Sequence, residues 1–225
     1  MRYFIHTTLI LISLFAISLF SVHAQGTPQL YITWEANNFY PINFEGRAFP
    51  SPGTPVTVSV EATIDGKVAD LSKAEISWYK DGTRFDYGTG VKESSFTAEE
   101  LDTNSHFIRV RAVIGSATVE KTIRIPVTKP IAVLEVPYPN RQIPARSIAH
   151  LTSIPYFFNA TSISNFTFSW QAGDLKKNTK SDNTLALEIG DPYYDTQRTF
   201  TVYSYIVNKL QPFEIIKLGT DLYIQ

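Results

Sequence analysis

Residues 75–82 read Glu-Ile-Ser-Trp-Tyr-Lys-Asp-Gly, a Trp-centred strand that ends in an Asp-Gly turn. Residues 167–174 repeat its centre as Thr-Phe-Ser-Trp-Gln-Ala-Gly-Asp. Each copy is followed about 30 residues later by an alternating apolar run, at 108–114 and 200–206, and one shift of about 92 residues aligns both pairs. A long, fixed period of this kind predicts one domain duplicated in tandem, with both Trp side chains in the cores.

Period-two alternation extends over most of the chain. Residues 56–61 and 123–127 alternate apolar with other side chains, which is typical of strands with one buried face. Pro-Gly and Asp-Gly pairs separate such runs at the spacing of a β-sandwich. In the segment 96–101, Thr97 and Glu100 are placed as in a helical capping box, which suggests one short helical turn. The predicted fold class is all-β.

The first 24 residues have the pattern of a secretory signal peptide. They contain no acidic residue, Arg2 lies near the start, and Val22 and Ala24 stand like the small residues before a cleavage site. The apolar run between them is shorter than the roughly 20 residues that span a bilayer. We therefore expect a signal peptide at 1–24, a mature chain beginning at Gln25, and no transmembrane segment after cleavage.

The remaining chain divides at a proline-flanked linker, residues 128–130. The predicted domains are 25–128 and 129–225, each of about 100 residues and large enough to bury a core. The prolines on either side of the linker predict a semi-rigid joint. The segment 37–55, rich in Pro, Gly and aromatic residues, is expected to form an extended loop.

Composition narrows the classes of protein. The chain has 20 basic and 21 acidic residues, so it lacks the basic field that holds nucleic acid. It has no Cys, which favours a bacterial envelope protein over a disulfide-stapled animal ectodomain. Asn159 and Asn165 each begin an Asn-x-Thr sequon, a motif without meaning for a bacterial product.

The strand at 76–82 resembles the C strand and following turn of immunoglobulin-like and PKD-like domains. Residues 102–108 look like the start of an F strand, with His106 where these families often have a corner Tyr and Ile108 where antibody domains have their second Cys. The second repeat departs further, with Arg198 aligned to His106. The resemblance implies two tandem immunoglobulin-like sandwiches, the first also PKD-like. The combination with a signal peptide is similar to exported proteins of small-genome bacteria, some of them thought to serve surface pili.

The residues that carry chemistry form no catalytic pattern. His106 and His150 lack a ligand-spaced partner, so we predict neither a metal nor another cofactor. There is no nucleophile elbow, phosphate-binding loop or zinc-protease motif. The acidic groups at 99–102 and at Asp191 and Asp195 are not interpreted as the paired carboxylates of a glycosidase, because two small sandwiches offer little cleft. Asp65, Asp70, Asp81 and Asp86 lack the spacing of a Ca²⁺ loop and are interpreted as ordinary turn acids. We expect no catalytic residues and no enzymatic activity.

Tyrosines near the C-terminus are the candidate binding residues. If the alternating residues Val202, Ser204 and Ile206 point inward, Tyr203 and Tyr205 point outward on one sheet face. Tyrosine offers a large contact area at low entropic cost, so the pair could bind a partner unless a neighbouring strand or the other domain covers it. The predicted site comprises Tyr203, Tyr205, Tyr193 and Tyr194. The counterparts of Tyr203 and Tyr205 in the first repeat, under the same shift, are Arg111 and Val113.

These patterns favour a secreted or cell-surface module that acts through a protein partner of the bacterial surface or envelope, including an appendage such as a pilus. Strand addition at an open sheet edge is one route to such contact. The alternative is a carbohydrate-binding module whose tyrosines stack on a glycan. A third hypothesis is a subunit that serves an enzyme or a secretion machine.

Overall fold

The computed structural model describes residues 26–100, 102–190 and 199–225, most of which lie in β-strands. The first eight strands form two antiparallel sheets. One sheet has the order β1-β2-β3, and β6 also pairs with β2; the other sheet has the order β5-β4-β7-β8. We call this unit the N-terminal sandwich. Its strands are β1 (Gln29–Ala36), β2 (Pro55–Ile64), β3 (Lys67–Val68), β4 (Glu75–Lys80), β5 (Thr83–Thr89), β6 (Glu93–Thr97), β7 (Ser105–Ile114) and β8 (Ala117–Pro126).

The next eight strands form the C-terminal sandwich. One sheet has the order β14-β11-β9, and the other has the order β10-β16-β15-β12-β13, in which only the pair β10 and β16 is parallel. Short 3₁₀ turns occur at Pro139–Arg141 and Ile163–Asn165. The strands are β9 (Ile131–Glu135), β10 (Gln142–Ile143), β11 (Ile148–Tyr156), β12 (Phe166–Ala172), β13 (Leu175–Lys180), β14 (Thr184–Glu188), β15 (Thr199–Asn208) and β16 (Ile215–Ile224).

Sheet membership identifies the fold class. In the N-terminal sandwich, one sheet contains β1, β2 and β6, and the other contains β4, β5, β7 and β8. The C-terminal sandwich has the same division, with β9, β11 and β14 in one sheet and β12, β13, β15 and β16 in the other. This distribution is that of the immunoglobulin-like sandwich, where strands A, B and E face strands C, F and G. The prediction of an all-β chain with two tandem immunoglobulin-like sandwiches is confirmed.

The two repeated tryptophans lie in the cores, as predicted. Trp78 is fully buried in a cluster built from both sheets, and its Nε1 donates to the carbonyl of Val91 at 3.0 Å. Trp170 is 2% exposed, and its Nε1 donates to Thr179 Oγ1 at 3.2 Å. Each indole therefore fills the space between its sheets while its N–H group keeps a partner.

The shift of about 92 residues between the repeats is wrong by two residues for β7 and β15, the strands that pair with the two Trp strands β4 and β12. Trp78 lies opposite Val110, whereas Trp170 lies opposite Ser204. The structural counterparts of Tyr203 and Tyr205 are therefore Arg109 and Arg111 rather than Arg111 and Val113. Because the error is an even number, the inward and outward positions of the strand were still predicted correctly.

No helical turn forms in the described part of the segment 96–101. Phe96 and Thr97 end β6, and Ala98 continues in extended pairing, since its N–H donates to the carbonyl of Thr54 and its carbonyl accepts from Gly53 N, both at 2.8 Å. Residues 98–100 have no regular secondary structure. Pairing with the loop thus outweighs the weak local signal of a capping box.

The loop between β1 and β2 joins the two sandwiches. It contains no strand, as predicted, but Phe39 forms an isolated bridge to Phe158, where its N–H donates to the Phe158 carbonyl at 2.8 Å. Phe39 also meets the ring of Phe166 edge-on at 5.0 Å, and Phe44 and Phe49 meet that of Phe157 at 5.6 and 5.9 Å. The loop therefore packs against the C-terminal sandwich as an aromatic layer.

A network of hydrogen bonds also joins the two sandwiches at this junction. Thr54 Oγ1 donates to Asn159 Oδ1, and Asn159 Nδ2 donates to the carbonyl of Pro52 at 2.8 Å. The Glu214 carboxylate accepts from Asn159 N at 3.0 Å and from Asn208 Nδ2 at 2.7 Å. Thr54, Asn159 and Asn208 are all buried. The contact between the sandwiches thus goes well beyond the proline-flanked linker from which a semi-rigid joint was predicted.

Candidate binding faces

Tyr203 and Tyr205 lie on the outer face of the C-terminal sandwich. Val202, Ser204 and Ile206 are fully buried, and the two tyrosines alternate with them on β15 and are half-buried. We call the outward side of β12, β13, β15 and β16 around them the tyrosine face. Tyr193 and Tyr194, the other two residues of the predicted site, lie outside the described residues.

Contacts on their own sheet partly cover the two tyrosines. Tyr203 pairs with Gly219 on β16, and a Cβ atom at that glycine would lie 2.9 Å from the Tyr203 ring. Lys217 Nζ lies 4.0 Å from the ring centre of Tyr203 and 5.4 Å from that of Tyr205. The glycine thus lets the ring lie flat on the sheet, and the ammonium holds both rings by cation–π attraction.

A shallow hollow of about 450 Å³ lies beside Tyr205. Polar side chains and two aromatic rings line it together, namely Ser169, Trp170, Gln171, Lys176, Lys177, Asn178 and Tyr205. An aromatic wall with amide, hydroxyl and ammonium groups can hydrogen-bond and stack on a ligand. Among the described residues, its lining holds no carboxylate.

The N-terminal sandwich has a corresponding face, which the sequence reasoning missed. We call the outward side of β4, β5, β7 and β8 the arginine face. Arg109 lies over the ring of Tyr79 at 4.2 Å, and Arg84 over that of Tyr87 at 4.5 Å. The alternation of Arg109 and Arg111 along β7 was visible in the sequence, but the partner rings come from β4 and β5, and the repeat shift assigned the wrong counterparts.

One carboxylate is shared by two arginines on the arginine face. Glu120 Oε2 lies 3.4 Å from Arg109 Nη1, and Glu120 Oε1 lies 3.6 Å from Arg111 Nε. All three side chains are between 41% and 50% exposed, so their charges remain accessible to a partner. The face therefore presents ordered guanidinium groups, which favour carboxylate ligands.

His106 has a structural role. It is fully buried, with Nδ1 2.6 Å from Asp81 Oδ2, while Nε2 accepts from the backbone N–H of Glu99 at 3.0 Å. Because a backbone N–H can only donate, Nε2 carries no proton and Nδ1 donates to Asp81. A catalytic His needs a free nitrogen facing its nucleophile, and here both nitrogens are occupied. His106 thus ties the turn after β4 to the segment after β6, the corner role that the resemblance implied.

Glu99, one of the acids considered for catalysis, is held by a surface pair. Its Oε1 accepts from Lys80 Nζ at 2.8 Å. This hydrogen bond and the Lys80 charge lower the pKa of the Glu99 carboxyl. A general acid near neutral pH needs the opposite shift. Among the described residues, no three His, Asp or Glu side chains are grouped so that they could hold a metal ion.

The fold defines a tandem immunoglobulin-like protein. No protein-family model matches the chain, and no curated protein matches it. Within the three described ranges, no helix has the length and apolar character to cross a membrane.

Solved structures resemble the chain in fold. The three N-terminal domains of the bacteriophage RB49 highly immunogenic outer capsid protein align with a TM-score of 0.48 and 12% identity, over 88% of this chain and 59% of that one. A titin immunoglobulin tandem aligns with a TM-score of 0.28 and 14% identity, over 90% and 98% of the two chains. The amphioxus IgVJ-C2 molecule aligns with a TM-score of 0.32 and 13% identity, over 89% and 98%. The chain spans less than two thirds of the capsid protein structure.

Proposed function

We propose that the protein is an exported, non-catalytic interaction module of a bacterial cell surface or envelope, with domains at 25–128 and 129–225. Its tyrosine face binds a protein partner of that surface, such as a subunit of an appendage like a pilus. The observation that carries this proposal is the Tyr203–Lys217–Tyr205 arrangement on an open sheet. Tyrosines that are already ordered lose little entropy when they bind, and such residues are enriched among the energetic centres of protein interfaces.

The junction between the sandwiches supports a structural side to this role. The aromatic layer and the Asn159 network fix one sandwich against the other. A tandem of fixed geometry presents the tyrosine face at a defined distance and direction from the N-terminal sandwich. Such an arrangement suits an element of an ordered surface assembly.

A glycan is the second candidate ligand, and the hollow beside Tyr205 favours it. Ser169, Gln171 and Asn178 supply hydroxyl and amide groups next to an aromatic ring. This combination is suited to sugar hydroxyls and to the apolar face of a sugar ring. In this case the tyrosine face is a carbohydrate-binding site.

The double variant Tyr203→Ala with Tyr205→Ala tests the site for both a protein and a glycan ligand. A photocrosslinking amino acid in place of Gln171 should capture the partner in the native host, and Tyr203→Ala with Tyr205→Ala should abolish that capture. The matched control is Tyr31→Ala with Tyr87→Ala, two residues that are 51% and 66% exposed on the N-terminal sandwich. A glycan array probed with the same variants identifies a sugar ligand. Capture and sugar retention that are both insensitive to the tyrosine pair would refute the proposed site.

Export and cleavage of the signal peptide are tested by a separate measurement. Intact-mass analysis of the protein from the native host should show a chain that begins at Gln25, because the signal pattern ends at Ala24. A cell-associated chain that retains residues 1–24 would contradict cleavage and would indicate an anchored protein instead.

A further inference from the structure

The two outer faces of the N-terminal sandwich carry opposite charge. The arginine face has four outward arginines, Arg84, Arg109, Arg111 and Arg124, since each pairs with an outward residue of the neighbouring strand. Its outward acids are Glu75 and Glu120, and Glu120 is already shared by two of the arginines. The net charge of this face is positive.

The opposite face is acidic. Glu35 on β1, Glu61 on β2 and Glu93 on β6 are exposed and alternate with buried or half-buried side chains. Their cross-strand neighbours on the same face are uncharged, namely Thr57, Tyr31 and Ser59. Among the described residues, no outward position of these three strands holds Lys or Arg. We call this surface the glutamate face.

We propose that the glutamate face of one copy docks on the arginine face of a second copy. The two surfaces belong to opposite sheets of the same sandwich, so the contact is heterologous and leaves one glutamate face and one arginine face free at the ends. A contact of this kind that does not close into a ring propagates as a linear stack. The occupant is a second copy because this chain itself carries both complementary charges.

The chemistry of the faces agrees with this contact. Guanidinium groups pair with carboxylates in two parallel hydrogen bonds, which fixes orientation as well as charge. Tyr87 and Phe107 on the arginine face and Tyr31 on the glutamate face are exposed and can pack between the charges. Exposed ion pairs are individually weak, so the association depends on several at once and on low salt. The inference uses no residue of the tyrosine face and stands apart from the proposed function.

Sedimentation velocity of the mature protein tests the association. At about 0.05 M salt the weight-average mass should rise with concentration to about two-fold or more, and it should fall to the monomer at about 1 M salt, where the Debye length is about 3 Å. Glu35→Lys, Glu61→Lys and Glu93→Lys together should abolish the rise, as should Arg84→Glu, Arg109→Glu and Arg111→Glu together. A mixture of the two variants should associate again, because each supplies the surface that the other has lost.

Two further experiments distinguish the proposed contact from self-association through other surfaces. Lys176→Glu, Lys177→Glu and Lys217→Glu, which alter the tyrosine face, should leave the association unchanged. The chain has no Cys, so Glu61→Cys mixed with Arg111→Cys and treated with oxidised glutathione should give more of the mixed disulfide dimer than of either homodimer. A monomer at every concentration in low salt overturns the proposal. Association that survives reversal of the glutamate face overturns it too, because the contact between copies would then not use that face.

Discussion

Asn159 accepts a hydrogen bond from Thr54, although 105 residues separate them and they belong to different sandwiches. Both side chains are buried, and the Asn159 amide also donates to the Pro52 carbonyl. The amide therefore satisfies groups that the junction removes from water.

Asn159→Ala should lower the free energy of unfolding by about 1–3 kcal/mol, because Thr54 and the Pro52 carbonyl lose a buried partner. Urea unfolding measures this, and small-angle scattering should show a larger maximum dimension. Gln142→Ala, at an exposed strand position, is the control and should change neither. Equal stability and shape for Asn159→Ala would show that the junction does not need the amide.

The repeated tryptophans should be equivalent in stability. Trp78→Ala and Trp170→Ala should each cost about 3–5 kcal/mol, the range for emptying a large buried aromatic. Trp34→Ala should cost less, because Trp34 is only partly buried, at the edge of the N-terminal core. Chemical denaturation checks the ranking. A loss below about 1 kcal/mol for either core Trp would contradict its assignment.

His106→Phe should destabilise the N-terminal sandwich by about 1–3 kcal/mol, since Asp81 Oδ2 and the Glu99 N–H both lose their partner. The exposed His150→Phe is the matched control and should be close to neutral. Imidazole nitrogen shifts in NMR should show the proton of His106 on Nδ1. A proton on Nε2 would be incompatible with the hydrogen bond from Glu99.

Low pH should remove the contribution of Glu99 to the stability of the fold. The Lys80 hydrogen bond and charge lower the pKa of the Glu99 carboxyl below the ordinary value of a glutamate. A carboxyl with a lowered folded-state pKa stabilises the fold above its unfolded pKa, and this contribution is lost as the pH falls through the folded pKa. Thermal melts between pH 6 and pH 3 should fall less steeply for Glu99→Gln than for the wild type. Lys80→Met should reproduce that flatter profile; parallel profiles for all three proteins would exclude the pair as a source of pH dependence.

Gly219→Val should displace the Tyr203 ring, because the added atoms would occupy the space in which the ring lies. The change should alter the NMR shifts of the Tyr203 ring and weaken partner capture, with a stability loss of no more than about 1 kcal/mol at this surface site. Gly190→Ala, where a Cβ would have no atom of the described residues within 4 Å, is the control. An unmoved ring would show that Gly219 does not set its position.

Local alternation was sufficient to predict the strands and the outward direction of Tyr203 and Tyr205, because both depend on period two alone. The shift between repeats was wrong because the second sandwich has two more residues between the Trp strand and the strand opposite it. The Asn159 network could not be predicted, since Thr54, Asn159 and Glu214 meet only after three distant segments fold. The same holds for Arg109, whose ring partner lies on another strand.

Asn159 also begins one of the two sequons, and its burial has a consequence for production in other hosts. The amide nitrogen that would carry a sugar is the atom that donates to Pro52 and Glu214, and Asn159 is only 8% exposed. A eukaryotic secretory host could therefore glycosylate Asn159 only before the junction closes. Once attached, the sugar would stand between the two sandwiches and prevent their contact. The glycosylated fraction would thus measure how slowly the junction forms, and recombinant protein intended for structural work should come from a host without N-glycosylation or carry Thr161→Ala.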